Sequence, residues 1–234
     1  MKFLISLFFT VFLFANEIFV ASATGNAYAM PEIIKEYNKI YPNDNVHLIF
    51  ASSGKLTAQI MHGAKYDIFL AANMKYPLFL YKKGIVLTKP KIYAYGTIVL
   101  FSRKPINGNY KDIILNATSI AIANPKTAPY GKAAVEFLKN TGLYDKVKDK
   151  LIYAETVSAA FNYSLHSTDI GIIAKSLLFS PNTKKYKNWI NLPNGYTPIN
   201  QGVVLLNKKA ENFYNFLFSD EAKKIFKKYG YIVK

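Results

Sequence analysis

Val46-His47-Leu48-Ile49-Phe50-Ala51-Ser52-Ser53-Gly54-Lys55-Leu56-Thr57-Ala58-Gln59-Ile60-Met61 opens as a mostly apolar run, breaks at a small polar turn, and continues with Leu56, Ile60 and Met61 at helical spacing. That is strand, tight turn, helix, with Ser52 or Ser53 at the N-cap. A helix start carries backbone N–H groups without intrahelical partners and the positive end of the helix dipole. A small hydroxyl residue there either caps its own helix or lets an anion approach closely. One such joint decides nothing between the two; its recurrence does.

Outward from that joint the same rhythm repeats. Glu17–Ser22 reads as a strand, followed by Ala23-Thr24-Gly25-Asn26 and a helix through Met30, Ile33, Ile34 and Tyr37. Tyr66–Ala71 is a further strand, and Tyr76–Lys83 an amphipathic helix closed by Gly84. Strands alternating with helices predict a mostly parallel sheet with helices on both faces. After a longer strand-like run from Tyr93 to Phe101 the pattern restarts. Ser119–Asn124, Lys150–Glu155 and Asp169–Ala174 read as strands, with helices over Ala133–Leu138 and Ala159–Leu165. Asn200–Leu206 is a last strand, and Ala210–Lys228 a closing helix with Phe213, Phe216, Leu217, Ile225 and Phe226 on its apolar side. The predicted fold is α/β, with two lobes, each a mostly parallel sheet flanked by helices, and a ligand cleft between them. The predicted division is 1–15 leader, 16–94 first lobe, 95–206 second lobe with two crossover strands, and 207–234 a return to the first.

The leader is Met1-Lys2, then the apolar block Phe3 to Phe14, then Ala15 before Asn16-Glu17. A positive residue, a short apolar block and a small residue before polar ones form a secretory signal, well short of the roughly 20 apolar residues that span a bilayer. Cleavage is expected near Ala15, with the mature chain in the periplasm. The 234 residues contain no Cys, which excludes disulfides, thiolate metal sites and a Cys nucleophile. Lys and Arg number 30 against 14 acidic residues, a net +16. These charges are dispersed in short pairs such as Lys82-Lys83 and Lys184-Lys185 rather than in a basic block, so nucleic acid is not an expected partner.

Four strand-to-helix joints, two per lobe, are expected to face the cleft: Thr24-Gly25, Ser52-Ser53, Ala128-Pro129-Tyr130-Gly131 and Thr156-Val157-Ser158. None carries Lys, Arg, His, Asp or Glu at the turn itself, although Lys55, Lys126 and Glu155 are near in sequence. Neutral donors suit a fully deprotonated oxyanion, which needs donors only. Phosphate, still protonated at neutral pH, also calls for an acceptor such as a carboxylate.

Ala23-Thr24-Gly25, Phe50-Ala51-Ser52-Ser53-Gly54-Lys55-Leu56 with Gln59-Ile60, Tyr66-Asp67-Ile68-Phe69-Leu70-Ala71-Ala72, Asn124-Pro125, Ala128-Pro129-Tyr130-Gly131 and Ile225-Phe226-Lys227-Lys228-Tyr229-Gly230-Tyr231 form an ordered set. It resembles the periplasmic molybdate/tungstate-binding proteins of ABC transporters over essentially the whole mature chain. The resemblance implies an oxyanion carrier that is not an enzyme, holds no cofactor, is a monomer, and delivers molybdate or tungstate to membrane permease subunits. It implies ligand-binding roles for the Thr24 and Ser53 hydroxyls, for Tyr130, and for the main chain of Val157. Gly25 stands where many relatives have a polar side chain, so that contact is main-chain, or passes to Asn26. Some relatives also use a Tyr after the later Gly-Ile strand; here the residues are Ile173-Ala174, and that contact is not expected.

An enzyme is the rival class. The chain has no Gly-x-Ser-x-Gly elbow and no phosphate-binding Gly-Lys-Ser/Thr loop, and His47, His62 and His166 are scattered without a carboxylate pairing legible in the sequence. Among binding proteins, a carrier of sulfate or another tetrahedral oxyanion is the alternative.

Overall fold

Strands covered on both faces read as unbroken apolar runs, and a parallel pair needs a helical crossover to return the chain to the same edge. Both conditions recur twice in the computed structural model, which describes residues 16–180, 183 and 186–234; the leader read over residues 1–15 lies outside them. The first pass runs β1 (Asn16–Ala23), α1 (Ala29–Tyr37), β2 (Asp44–Ala51), α2 (Ser53–Met61), β3 (Ile68–Ala71), α3 (Lys75–Lys82) and β4 (Lys91–Gly96). The second runs β5 (Ile98–Phe101), α4 (Tyr110–Asn116), β6 (Ile120–Ala123), α5 (Pro129–Asn140), α6 (Tyr144–Val147), β7 (Leu151–Ala154), α7 (Val157–His166), β8 (Ile170–Ala174) and β9 (Trp189–Asn191). The chain then returns through β10 (Ile199–Leu205), α8 (Glu211–Phe216) and α9 (Asp220–Lys228).

The two five-stranded sheets share one plan. Their orders are β2-β1-β3-β10-β4 and β7-β6-β8-β5-β9. In each, the first three strands are parallel and the fourth runs against its neighbours on both sides, so that the last two pairings are antiparallel. Register decides where the joints fall. Ala23 pairs with Ala51 at the ends of β1 and β2, and Ala123 with Ala154 at the ends of β6 and β7. The turns that follow therefore open side by side, at the carboxyl edge where open α/β sheets bind ligands. Ile18, Val20, Met30, Ile33, Tyr37, Phe213 and Phe226 fill one face of the first sheet, and Leu56, Phe69, Leu80 and Val204 the other. Phe101, Ile122, Phe137, Leu138, Phe161 and Ile172 belong to the core of the second lobe.

Three boundaries differ from the sequence reading. The run from Tyr93 to Phe101 divides at Thr97, so that β4 joins the first sheet and β5 the second. β10, read as a crossover strand of the second lobe, pairs with β3 and β4 and lies wholly in the first sheet. The closing helix is two helices: Ser219 restarts it, its hydroxyl accepting from Ala222 N–H at 3.2 Å, with Asp220 and Glu221 favourably placed in the new first turn. α4, capped by Asn109, and the short β9 carry too little periodicity to be seen in advance.

A buried polar network lies where the lobes join. Asn26 donates to Ser22 Oγ at 3.0 Å and to the Tyr93 hydroxyl at 2.8 Å. Tyr93 donates to Gln201 Oε1 at 3.3 Å, and Gln201 Nε2 donates to the hydroxyl of Tyr130 at 3.1 Å. The Tyr231 hydroxyl lies 2.8 Å from Gly25 O and 2.7 Å from Asn26 Oδ1. A β-bulge between Gln201 and Gly202 interrupts the register of β10 against β4 at this point.

Burial holds the phenols of Tyr93, Tyr130 and Tyr231 above the ordinary tyrosine range, because the charged form would lose its hydration. A group whose folded pKa is raised contributes its full stability below the unfolded value, about 10, and loses it as pH climbs from there toward the folded value. Stability should fall steeply above about pH 10. A spectrophotometric titration should show these three phenols ionising only with alkaline unfolding.

A methyl group built on Gly131 would lie 2.0 Å from Ala123 O and 2.6 Å from Ala123 C, both rigid strand backbone. Gly131→Ala should therefore destabilise by about 1–3 kcal/mol or more in urea unfolding, through displacement of the start of α5 from the end of β6.

Candidate functional site

The sequence places a small residue at each strand end and a helix start just beyond, and the two lobes bring these starts face to face. Ala23, Thr24, Gly25, Ser52, Ser53, Ala72, Ala128, Pro129, Tyr130 and Val157 line a small cavity of about 10 Å³, room for about one water molecule. All five residues singled out from the sequence, Thr24, Gly25, Ser53, Tyr130 and Val157, line it. No charged side chain does.

Each joint offers a different donor set. Ser53 is fully buried, and its hydroxyl accepts from the backbone N–H of Ala72 at 3.0 Å, so its own proton remains to be donated. Ser52 is the N-cap of α2 in extended conformation, yet its side chain makes no capping bond and its buried hydroxyl has no partner among the described residues. The doubling of Ser at this turn was the only sequence signal for it. At α5, Pro129 in the first turn has no N–H to give, which leaves those of Tyr130 and Gly131 as the first available. At α7 the Thr156 hydroxyl caps Ala159 N–H at 3.1 Å, and the N–H groups of Val157 and Ser158 precede that capped position.

Two refinements concern Gly25 and Tyr130. A methyl group on Gly25 would sit 3.0 Å from Cε2 of Tyr130, and one on Gly96 would sit 2.2 Å from the Tyr130 hydroxyl. The phenol thus occupies the space that side chains at those positions would need, and it is held by Gln201 rather than presented to the cavity. What Tyr130 offers a ligand is its backbone N–H. The amide of Asn26, the other candidate at the first joint, is committed to Ser22, Tyr93 and Tyr231. From Gly25 only the N–H remains, since its carbonyl accepts from Ser176 Oγ at 2.7 Å.

The lobes are shut on one another. Gly54 N–H donates to Thr127 O at 2.9 Å, and Ser158 Oγ to Thr24 O at 3.0 Å. Lys55 pairs with Glu155 at 2.7 Å across the exposed rim. Of the three charged residues near the joints, Lys55 and Glu155 therefore neutralise each other, and none of the three, Lys126 included, lines the cavity. The histidines lie elsewhere: His47 stacks on Phe19 and pairs with Glu17, while His62 and His166 stand at the ends of α2 and α7. Among the described residues no group of three or more His, Cys, Asp or Glu is placed to hold a metal ion.

Residues 18–232 match the family model described as bacterial extracellular solute-binding protein. The chain is 30% identical over 232 residues to the molybdate-binding protein ModA of Rhodobacter capsulatus, covering 94% of this chain and 90% of that one. It is 31% identical to the protein of the same name from Azotobacter vinelandii, covering 93% and 90%. The solved periplasmic molybdate-binding protein of Azotobacter vinelandii superposes with a TM-score of 0.86 at 29% identity, over 93% of this chain and 99% of that one. The matched span takes in both sheets and all four joints. This chain is a member of the bacterial extracellular solute-binding proteins.

Proposed function

We propose that this protein captures molybdate, and tungstate by the same chemistry, between its lobes and hands it to an ABC importer. The observation that carries the reading is the small cavity where four helix starts meet, lined by hydroxyl-bearing and apolar residues with no charged side chain. A dianion with no proton of its own is satisfied by such donors; a protonated one would find only hydroxyl oxygens, and no carboxylate, to accept its proton. Identity of about 30% along nearly the whole chain with proteins named for molybdate binding favours molybdate over sulfate. In this reading the ligand is bound by the hydroxyls of Thr24 and Ser53 and by the N–H groups of Gly25, Tyr130 and Val157. The protein has no catalytic turnover. It works as an exported monomer in the periplasm after cleavage near Ala15. One lobe comprises residues 16–96 and 199–234, and the other 98–191.

Calorimetric titration with molybdate, tungstate, sulfate and phosphate tests this directly. Molybdate and tungstate should bind one per chain; binding of phosphate alone would defeat the neutral-donor argument.

Ser53→Ala and Thr24→Val each remove a hydroxyl directed at a charged ligand. Each should cost about 1.5–3 kcal/mol, or one to two powers of ten in affinity. Val157→Ala keeps the backbone N–H and should cost much less. If all three variants, properly folded, bound as tightly as the parent, these joints would be ordinary helix starts.

Donors from both lobes are needed to replace the ion's water, so the free protein should open about the crossovers and close on binding. Small-angle scattering should give a smaller radius of gyration at saturating molybdate; an unchanged radius would exclude hinge closure.

A further inference from the structure

We propose that Ser52 is an additional hydroxyl donor to the bound oxyanion, so that α2 presents two adjacent hydroxyls to the ligand. The inference rests on the oxyanion reading above.

The hydroxyl of Ser52 is buried, with the residue 4% exposed, and it has no hydrogen-bond partner among the described residues. Leaving a buried hydroxyl unpaired is costly, so such a group in a folded protein calls for an explanation. Ser52 is the N-cap of a nine-residue helix with φ −66° and ψ 148°, from which a Ser ordinarily accepts an N–H of the first turn. Asn109, Thr156 and Ser219 all do this at their own helix starts. Ser52 does not, and it lines the cavity.

The neighbouring Ser53 shows the complementary arrangement. Its oxygen is already occupied by Ala72 N–H, which leaves it a donor. A ligand oxygen supplies the acceptor that both hydroxyls lack. Because the surrounding donors are neutral, each hydroxyl is a substantial part of what replaces the ion's hydration, and its removal is felt in affinity.

The test compares Ser52→Ala and Ser52→Gly with the parent, using molybdate titration and the melting temperature of the ligand-free protein. Loss of a hydrogen bond to a charged ligand should weaken molybdate binding by about ten- to a hundredfold in both variants. Tungstate should be affected equally. The ligand-free melting temperature should hold or rise, because the hydroxyl removed caps nothing. A purely structural cap would behave differently: alanine would lower the ligand-free stability, while glycine, tolerated at N-caps, would largely preserve it. That stability pattern, or molybdate affinity equal to the parent's in both variants, would overturn the assignment. If the parent itself failed to bind molybdate, the functional reading would fall first and this inference with it.

Discussion

An anion enclosed in protein without a counter-charge must find, already in place, as many hydrogen-bond donors as the water it leaves behind. Helix starts supply them without further cost, since their first N–H groups have no partner within the helix. The fold repeats one strand-to-helix joint so that such starts converge. The level registers Ala23 with Ala51 and Ala123 with Ala154 set the joints side by side within each lobe. Closure then brings the two pairs together. A site of neutral donors without a carboxylate, as proposed above, would favour a fully deprotonated anion over a protonated one, a preference that a lysine or arginine alone would not provide.

That geometry is supported from behind by polar groups that do not face the cavity. The turn at Thr24–Asn26 would be loose if left to its backbone alone. It is fixed because the Asn26 amide has partners in Ser22, Tyr93 and Tyr231, and because Gly25 O accepts from the opposite lobe. A fully satisfied buried network of this kind rigidifies what it touches. Gly25 belongs to the same account: position 25 is small because the ring of Tyr130 packs against it.

Much of this was legible in the sequence. Strand and helix rhythm gave two lobes because fully covered strands leave apolar runs that Gly, Pro and Ser punctuate. The joints were visible because hydroxyl residues fall at strand ends. Beyond α4 and β9, four features were not visible. Whether β10 belonged to the first sheet or the second depends on long-range pairing, which no local pattern encodes. The restart at Ser219 was obscured by apolar periodicity running on through Ile225 and Phe226. The orientation of the Tyr130 phenol is set by space at Gly25 and Gly96, residues distant from it in the chain. Ser52 and Ser53 are chemically alike in sequence and differ only in whether the oxygen already has a partner.

The Tyr130 phenol reaches from the second lobe into the first, and its hydroxyl lies against Gly96, one residue before the chain crosses between sheets. Points near a rotation axis scarcely travel, whereas those far from it sweep the widest arc. In the hinge motion proposed above, the Tyr130–Gln201 bond beside the crossover would be a pivot pin and the Lys55–Glu155 pair on the rim a clasp that parts. Parting the lobes to admit or release an ion would also break the Gly54–Thr127 and Ser158–Thr24 bonds at the cavity, so the contacts that cost least to keep are those beside the crossover.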